Sequence, residues 1–384
     1  MSIQSESKNI SYLPGIDHLR GFAAVLVVLY HGTQVLDREE RVRRLLPAVV
    51  WTNARDPFSA LVIEGHTAVA LFMVLSGFIF AYGVQDRHIN YRLFLKNRFL
   101  RTYPLFLVLL ALGCCAFPAA VTLEKVLTTL LCLSNFPAGL QILPFSGMFW
   151  TIAIEWQFYV IFPFLIRFMR RRLVRNTALM VLFLMFCRWL AFQNGADPRE
   201  ISYWTLAGRL DQLLLGMLAG YYYRSLNRKL LRWLLLPASL IVLGWLFFLN
   251  RKLGGWQSST PIKLVWVTWE GAMWAGFVVC YLASAVSLPA KLSKILASIG
   301  VVSYSIYLWH WPGIWTVQHK GWWWHKLENT TQNAFLNTAL FIAPALVAFA
   351  FLSYNLIEKP FSLLRVRYLV EAPPETSPPS APNA

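Results

Sequence analysis

The chain has 384 residues, 57% hydrophobic and 15% aromatic, with only 14% charged and a formal net charge of +17. An ordinary soluble domain carries about a quarter charged residues, so this apolar excess excludes a plain soluble globule and requires lipid. The positive balance would point to nucleic acid in a soluble protein, but here the lysines and arginines abut apolar runs, which reads as topology determination.

Only helices and closed barrels satisfy their backbone hydrogen bonds in hydrocarbon, and the short alternating segments of a barrel are missing. The sequence therefore predicts an all-α, polytopic membrane protein. Apolar runs of seventeen or more residues predict about ten spans, near 17–36, 64–84, 103–121, 148–168, 176–193, 204–223, 231–249, 264–285, 296–318 and 335–356. The organisation expected around them is a polar segment 1–14, a membrane-embedded domain 15–360 and a Pro-rich tail 361–384 that is disordered at its end. No small-residue cleavage site follows the first run, so the first helix reads as a retained anchor.

Within that helix, Arg20 and His31 are eleven residues apart, close to three turns, and share one face. They stand roughly 16 Å apart along the axis, which carries the imidazole to about half the depth of a core about 30 Å thick. A polar group at that depth faces protein or water and marks a candidate site. Asp17, three residues before Arg20, is positioned to pair with it.

Farther along, Arg98 and Arg101 in NRFLRTYP share a helix face. They read either as a guanidinium fork for phosphate or as ordinary positive-inside anchors. Residues 123–136 look helical but short for spanning, so they lie in the interface or re-enter. Glu155 sits in an apolar span with no basic neighbour, so it is protonated or has a partner on another helix, His31 and the arginines being candidates. Glu270, Arg188 and Arg209 with Asp211 read as helix-packing pairs. His310 precedes Pro312, where the helix is expected to bend; the ring either caps the freed carbonyls or lines a cavity. Trp309, Trp311, Trp315 and Trp322 to Trp324 read as an interfacial aromatic belt.

Loop lysines and arginines alternate in abundance, which places both termini in the cytoplasm. The five cysteines lack ligand-like spacing, so neither a metal site nor a disulfide framework is expected. Nucleophile-elbow, Walker and zinc signatures are missing. If the chain is an enzyme, His31 is then the base that deprotonates a hydroxyl or amine attacking an activated acyl group, with Glu155 orienting the ring. The rival reading is a transporter or flippase that uses His31 and Glu155 as a proton relay.

The stretches DHLRGFAAVLVVLYH, LFMVLSGFIFAYG, KNRFLRTYPLF, FWTIAIEWQFYVIFP, SYSIYLWHWP and YNLIEKP, in this order, resemble the bacterial acyltransferase 3 family of integral membrane acyltransferases. The resemblance implies a ten-helix enzyme of the inner membrane. It moves an acyl group, commonly acetyl, from cytoplasmic acyl-CoA to a hydroxyl of a glycan, lipid-linked sugar or natural product. On the family's pattern His31 and Glu155 are the catalytic candidates, and Arg20, Arg98 and Arg101 hold acyl-CoA. Asp17, Ser76, Tyr307 and His310 are supporting candidates. No permanently bound cofactor, no metal and no nucleic-acid partner are expected. Two positions depart from the pattern: His18 stands where glycine is usual, and Ala153 where a serine often precedes the glutamate by two.

Overall fold

The computed structural model describes residues 9–47, 52–85, 87–136 and 139–370, so the Pro-rich stretch 371–384 lies outside the described residues. The chain is a bundle of helices: α1 (Pro14–Arg43), α2 (Pro57–Ile63), α3 (Thr67–Val84), α4 (Tyr91–Ala116), α5 (Leu123–Leu130), α6 (Phe149–Met169), α7 (Leu173–Gln193), α8 (Pro198–Tyr203) and α9 (Leu206–Tyr222). There follow α10 (Arg228–Trp233), α11 (Leu235–Lys252), α12 (Lys263–Ala285), α13 (Ala290–Val301), α14 (Ser303–Lys320), α15 (Thr330–Asn337), α16 (Ala343–Ser353) and α17 (Lys359–Leu363). One two-stranded antiparallel ladder, β1 (His88–Ile89) with β2 (Leu369–Val370), ties the start of α4 to the last described residues.

Among the described residues, seven helical runs are long and apolar enough to cross a membrane, or eight if the bent pair α13 and α14 forms one span. The expected count of about ten is not reached. The run Phe149–Gln193 counts once although its 45 residues would extend roughly 68 Å. It is also interrupted where Arg172 leaves helical geometry (φ −142°, ψ 57°). Helix α9 has 17 residues, roughly 26 Å, short of a hydrocarbon core about 30 Å thick. The ninth expected span is not straight either. Its bend of 59° falls between α13 and α14, not at Pro312, which α14 runs through. The first helix continues to Arg43, past the expected end at 36, because Arg41 pairs with Asp37 and Arg44 with Glu40 along its outer turns.

Close helix contacts depend on missing side chains, as is common where helices pack in lipid. A Cβ on Gly77 in α3 would lie 2.0 Å from the Leu213 carbonyl oxygen of α9, and one on Gly300 in α13 would lie 1.8 Å from the Asp17 oxygen of α1. The second contact fixes the turn that carries Arg20. His18, the departure from the family pattern, does not disturb that turn: α1 starts at Pro14, and the buried imidazole lies 2.9 Å from the Ser293 carbonyl and 3.2 Å from the Tyr281 hydroxyl.

The segment after α4 turns back into the bundle. Tyr103, thirteen residues before the end of α4, donates to the Leu130 carbonyl at 2.7 Å, and Gln157 of α6 donates to the Cys132 carbonyl at 3.2 Å. Thirteen residues are roughly 20 Å of helix. Residues 123–136 therefore fold back against α4 and α6, in the direction that the re-entrant reading expects. The final spanning run carries two π-helical turns, Thr338–Ile342 and Tyr354–Glu358, a feature often found beside functional sites.

Candidate active site

Helices α1, α3, α4, α6 and α14 surround a cavity of about 100 Å³. Six of the nine residues singled out in the sequence line it: Arg20, Ser76, Arg98, Arg101, Glu155 and Tyr307. The spacing of each motif explains the convergence, since each helix contributes the face that its small or polar residues define. Thr102 locks three of these helices together. Its hydroxyl accepts from Trp156 Nε1 of α6 at 2.8 Å and its carbonyl accepts from the Tyr304 hydroxyl of α14 at 2.7 Å.

The arginines are held differently from one another. Arg20 pairs with Asp17 at 3.5 Å, as their spacing predicts, and also lines the cavity. Arg98 sits among aromatic rings, 5.1 Å from the centre of Phe80, 5.6 Å from Phe94 and 5.7 Å from Tyr159. Its Nε is buried without a hydrogen-bond partner among the described residues. Arg101 is attracted by Glu358, a buried carboxylate that accepts from Ser305 and whose other oxygen lacks a hydrogen-bond partner among the described residues.

A fourth guanidinium escaped the sequence reading. Asn97 brackets Val366, donating to its carbonyl at 2.6 Å and accepting from its amide at 3.0 Å. That strap lays Arg365 beside the start of α4. Burial, together with Arg101 and Arg98, pushes the Arg365 guanidinium down to about 10, which leaves it charged at neutral pH. Crowded like charges of this kind are relieved by an anion. The only sequence signal for Arg365 was its place in the basic run after the last span. Glu358, equally unassigned, was visible as a lone carboxylate in YNLIEKP.

Glu155 does not meet His31. Its Oε1 accepts from Ser76 Oγ of α3 at 3.2 Å, which supplies the hydroxyl that Ala153 lacks. The group beside His31 is instead His310, whose Nε2 lies 3.1 Å from His31 Nδ1 with the rings stacked 5.0 Å apart. His310 is fully buried, and its Nδ1 donates to the Tyr307 carbonyl at 2.5 Å. Of the two readings of His310, the cap holds only in part, since Nδ1 bonds the Tyr307 carbonyl although α14 does not bend at Pro312; the other nitrogen faces His31, and the ring does not line the arginine cavity. His31 is half-buried, packed between Tyr30 at 4.6 Å and Trp311 at 4.8 Å. Trp311 and Trp309, whose Nε1 donates to Ser353 at 2.9 Å, thus belong to internal packing; in the expected belt only Trp322 and Trp324 are strongly exposed.

The imidazole pair does not line the arginine cavity. Tyr307 stands between them, its side chain on the cavity and its ring centre 5.7 Å from that of His310. The remaining buried charges form a separate group in which Arg188 meets Asp211 at 2.9 Å and Arg209 meets Glu270 at 3.9 Å. The expected packing pairs exist, with Arg209 joined to Glu270 and Asp211 to Arg188.

The sequence matches the family model for the acyltransferase domain of the acyltransferase 3 type over residues 13–356. It is 25% identical over 336 residues to the O-acetyltransferase OatA of Staphylococcus aureus, which covers 78% of this chain and 50% of OatA. It is also 28% identical over 174 residues to the acyltransferase MdmB of Streptomyces mycarofaciens, covering 43% of this chain and 42% of MdmB. The chain thus spans about half the length of OatA. No solved structure matches it.

Proposed function

The chain belongs to the acyltransferase 3 family, and from that premise we propose that it is a membrane O-acyltransferase moving an acyl group, acetyl in the first instance, from acyl-CoA to a hydroxyl acceptor. The observation that carries this reading is the arginine-lined cavity ending at Tyr307, directly behind which the His310 and His31 imidazoles lie. The donor's phosphates sit against Arg98, Arg101 and Arg20 at the cytoplasmic end, with Arg365 adding charge at the rim. Transfer requires the Tyr307 side chain to move aside so that the thioester carbonyl reaches His31.

His31 then takes the proton of the acceptor hydroxyl as its oxygen bonds to the thioester carbon. The tetrahedral intermediate collapses by breaking the carbon–sulfur bond, and the departing thiolate takes the proton back from His31. No net proton is released. Glu155, held by Ser76, stays with the arginines as part of their counter-charge. The proton-relay alternative needs His31 and Glu155 in one chain of hydrogen bonds, and each has a different partner. The acceptor class, a hydroxyl on a glycan, lipid-linked sugar or natural product, follows the sequence resemblance, and OatA is likewise an O-acetyltransferase. Placement in the bacterial inner membrane follows the family resemblance, and the cytoplasmic position of both termini follows the basic-loop bias.

The test is thiol release from acetyl-CoA by the purified chain in detergent, with mass spectrometry of glycans and small metabolites from cells with and without it. Acceptor-dependent thiol release and a matching acetylated product support the reading; transport of a substrate without thiol release contradicts it.

A further inference from the structure

We propose that His310 is a positioning residue that fixes the tautomer of His31, leaving Nε2 of His31 as the basic nitrogen. The hydrogen bonds that run from the Tyr307 carbonyl through His310 to His31 point to one assignment; the Val27 carbonyl is a second acceptor for the His31 ring. A carbonyl only accepts, so His310 Nδ1, on the Tyr307 carbonyl, carries a hydrogen. His310 is fully buried, and among the described residues no carboxylate contacts either ring. An uncompensated cation there is costly, so the ring is neutral and its Nε2 holds a lone pair. That lone pair accepts from His31 Nδ1 at 3.1 Å, which puts the His31 hydrogen on Nδ1 and frees Nε2.

The tautomer of a catalytic imidazole is set by the hydrogen bond that its other nitrogen makes, a task usually given to a carboxylate or a backbone carbonyl. Here a neutral imidazole passes on the direction of the Tyr307 carbonyl. This holds the base without placing a second charge at mid-membrane depth. Packing supports the same geometry. Trp311 and Tyr30 flank the His31 ring, and Thr338, at the start of a π-helical turn, fills the space where a side chain on Gly32 would project.

The inference rests on the acyltransferase reading only for its kinetic consequence, and the test separates the two. Nitrogen-15 NMR of the full-length chain labelled at histidine, with His31 assigned from the spectrum of His31→Gln, reads the tautomer without any activity. The expected result is a hydrogen on Nδ1 and a lone pair on Nε2 of His31; a hydrogen on Nε2 overturns the proposal even if the enzyme transfers acetyl groups.

Two side chains then divide the functions of His310. In His310→Gln the amide oxygen reaches the place of Nε2 and accepts from His31, whereas in His310→Asn the shorter amide serves only the Tyr307 carbonyl. Turnover of the Gln variant is expected within about fivefold of the native chain. The Asn variant should lose ~30-fold or more in kcat with KM for acetyl-CoA changed less than twofold. Equal activity of the two variants, or a loss in KM alone, overturns the positioning role. Should neither variant fold, the native NMR assignment still decides.

Discussion

At one end of the bundle Arg188 lies 2.9 Å from Asp211 and Arg209 lies 3.9 Å from Glu270, beside a gap of only about 10 Å³ lined by Glu270. At the other end Arg98 and Arg101 line, with Arg20 and Glu155, an opening of about 100 Å³, and Arg365 is crowded by Arg101 and Arg98. A gap of 10 Å³ is about the space of one water, whereas the larger cavity takes several. Buried charge inside a membrane is thus not in itself a sign of function. Where each cation has its carboxylate and no room remains, the charges join helices. Where guanidiniums converge on an opening larger than a water, an anion has a place to bind.

Breaking a buried pair should produce the largest effect on stability. Removal of one partner from a buried ion pair costs about 3–5 kcal/mol, so Arg188→Leu should lower the denaturation midpoint in detergent sharply. Arg188→Leu combined with Asp211→Leu should recover most of that loss, and KM for acetyl-CoA should stay unchanged in the folded double variant. A change in KM would show that this end of the molecule touches the donor.

At the other end the expected effects reverse. Charge reversal in Arg98→Glu should leave the denaturation midpoint within a few degrees and weaken acyl-CoA binding roughly 100-fold, about 2.7 kcal/mol. Titration of the detergent-solubilised chain with CoA would measure it. An equal loss of acceptor binding would contradict the assignment of Arg98 to the donor's phosphates.

Much of this division was legible from the sequence because it depends on local spacing. Arg20 and His31 share a face for a reason visible in eleven residues, and the R-x-x-R pair needs only one turn. The apolar runs likewise predict most helices. What the sequence did not show is which distant groups meet. His310 is 279 residues from His31, and nothing in either helix says that the two rings stack. Glu155 offered a carboxylate of the right kind, and Ser76 on α3 takes its oxygen instead. Arg365 reaches the site only because Asn97 and the β1–β2 ladder fold the chain end across α4. The expected count of about ten spans is not confirmed, for a different reason. Hydropathy detects apolar runs, while the breaks at Arg172 and between α13 and α14 are set by backbone geometry.

The central claim is that the half-buried imidazole of the first helix performs the chemistry for which the arginine cavity holds the donor. It is tested most directly by single-turnover acetyl transfer with purified His31→Ala, checked for folding by its denaturation midpoint and for donor binding by CoA titration. The account predicts native folding, CoA affinity within about threefold of the native chain, and a transfer rate reduced ~1,000-fold or more, at least 4 kcal/mol of transition-state stabilisation. A folded His31→Ala protein that still transfers acetyl at the native rate would contradict it.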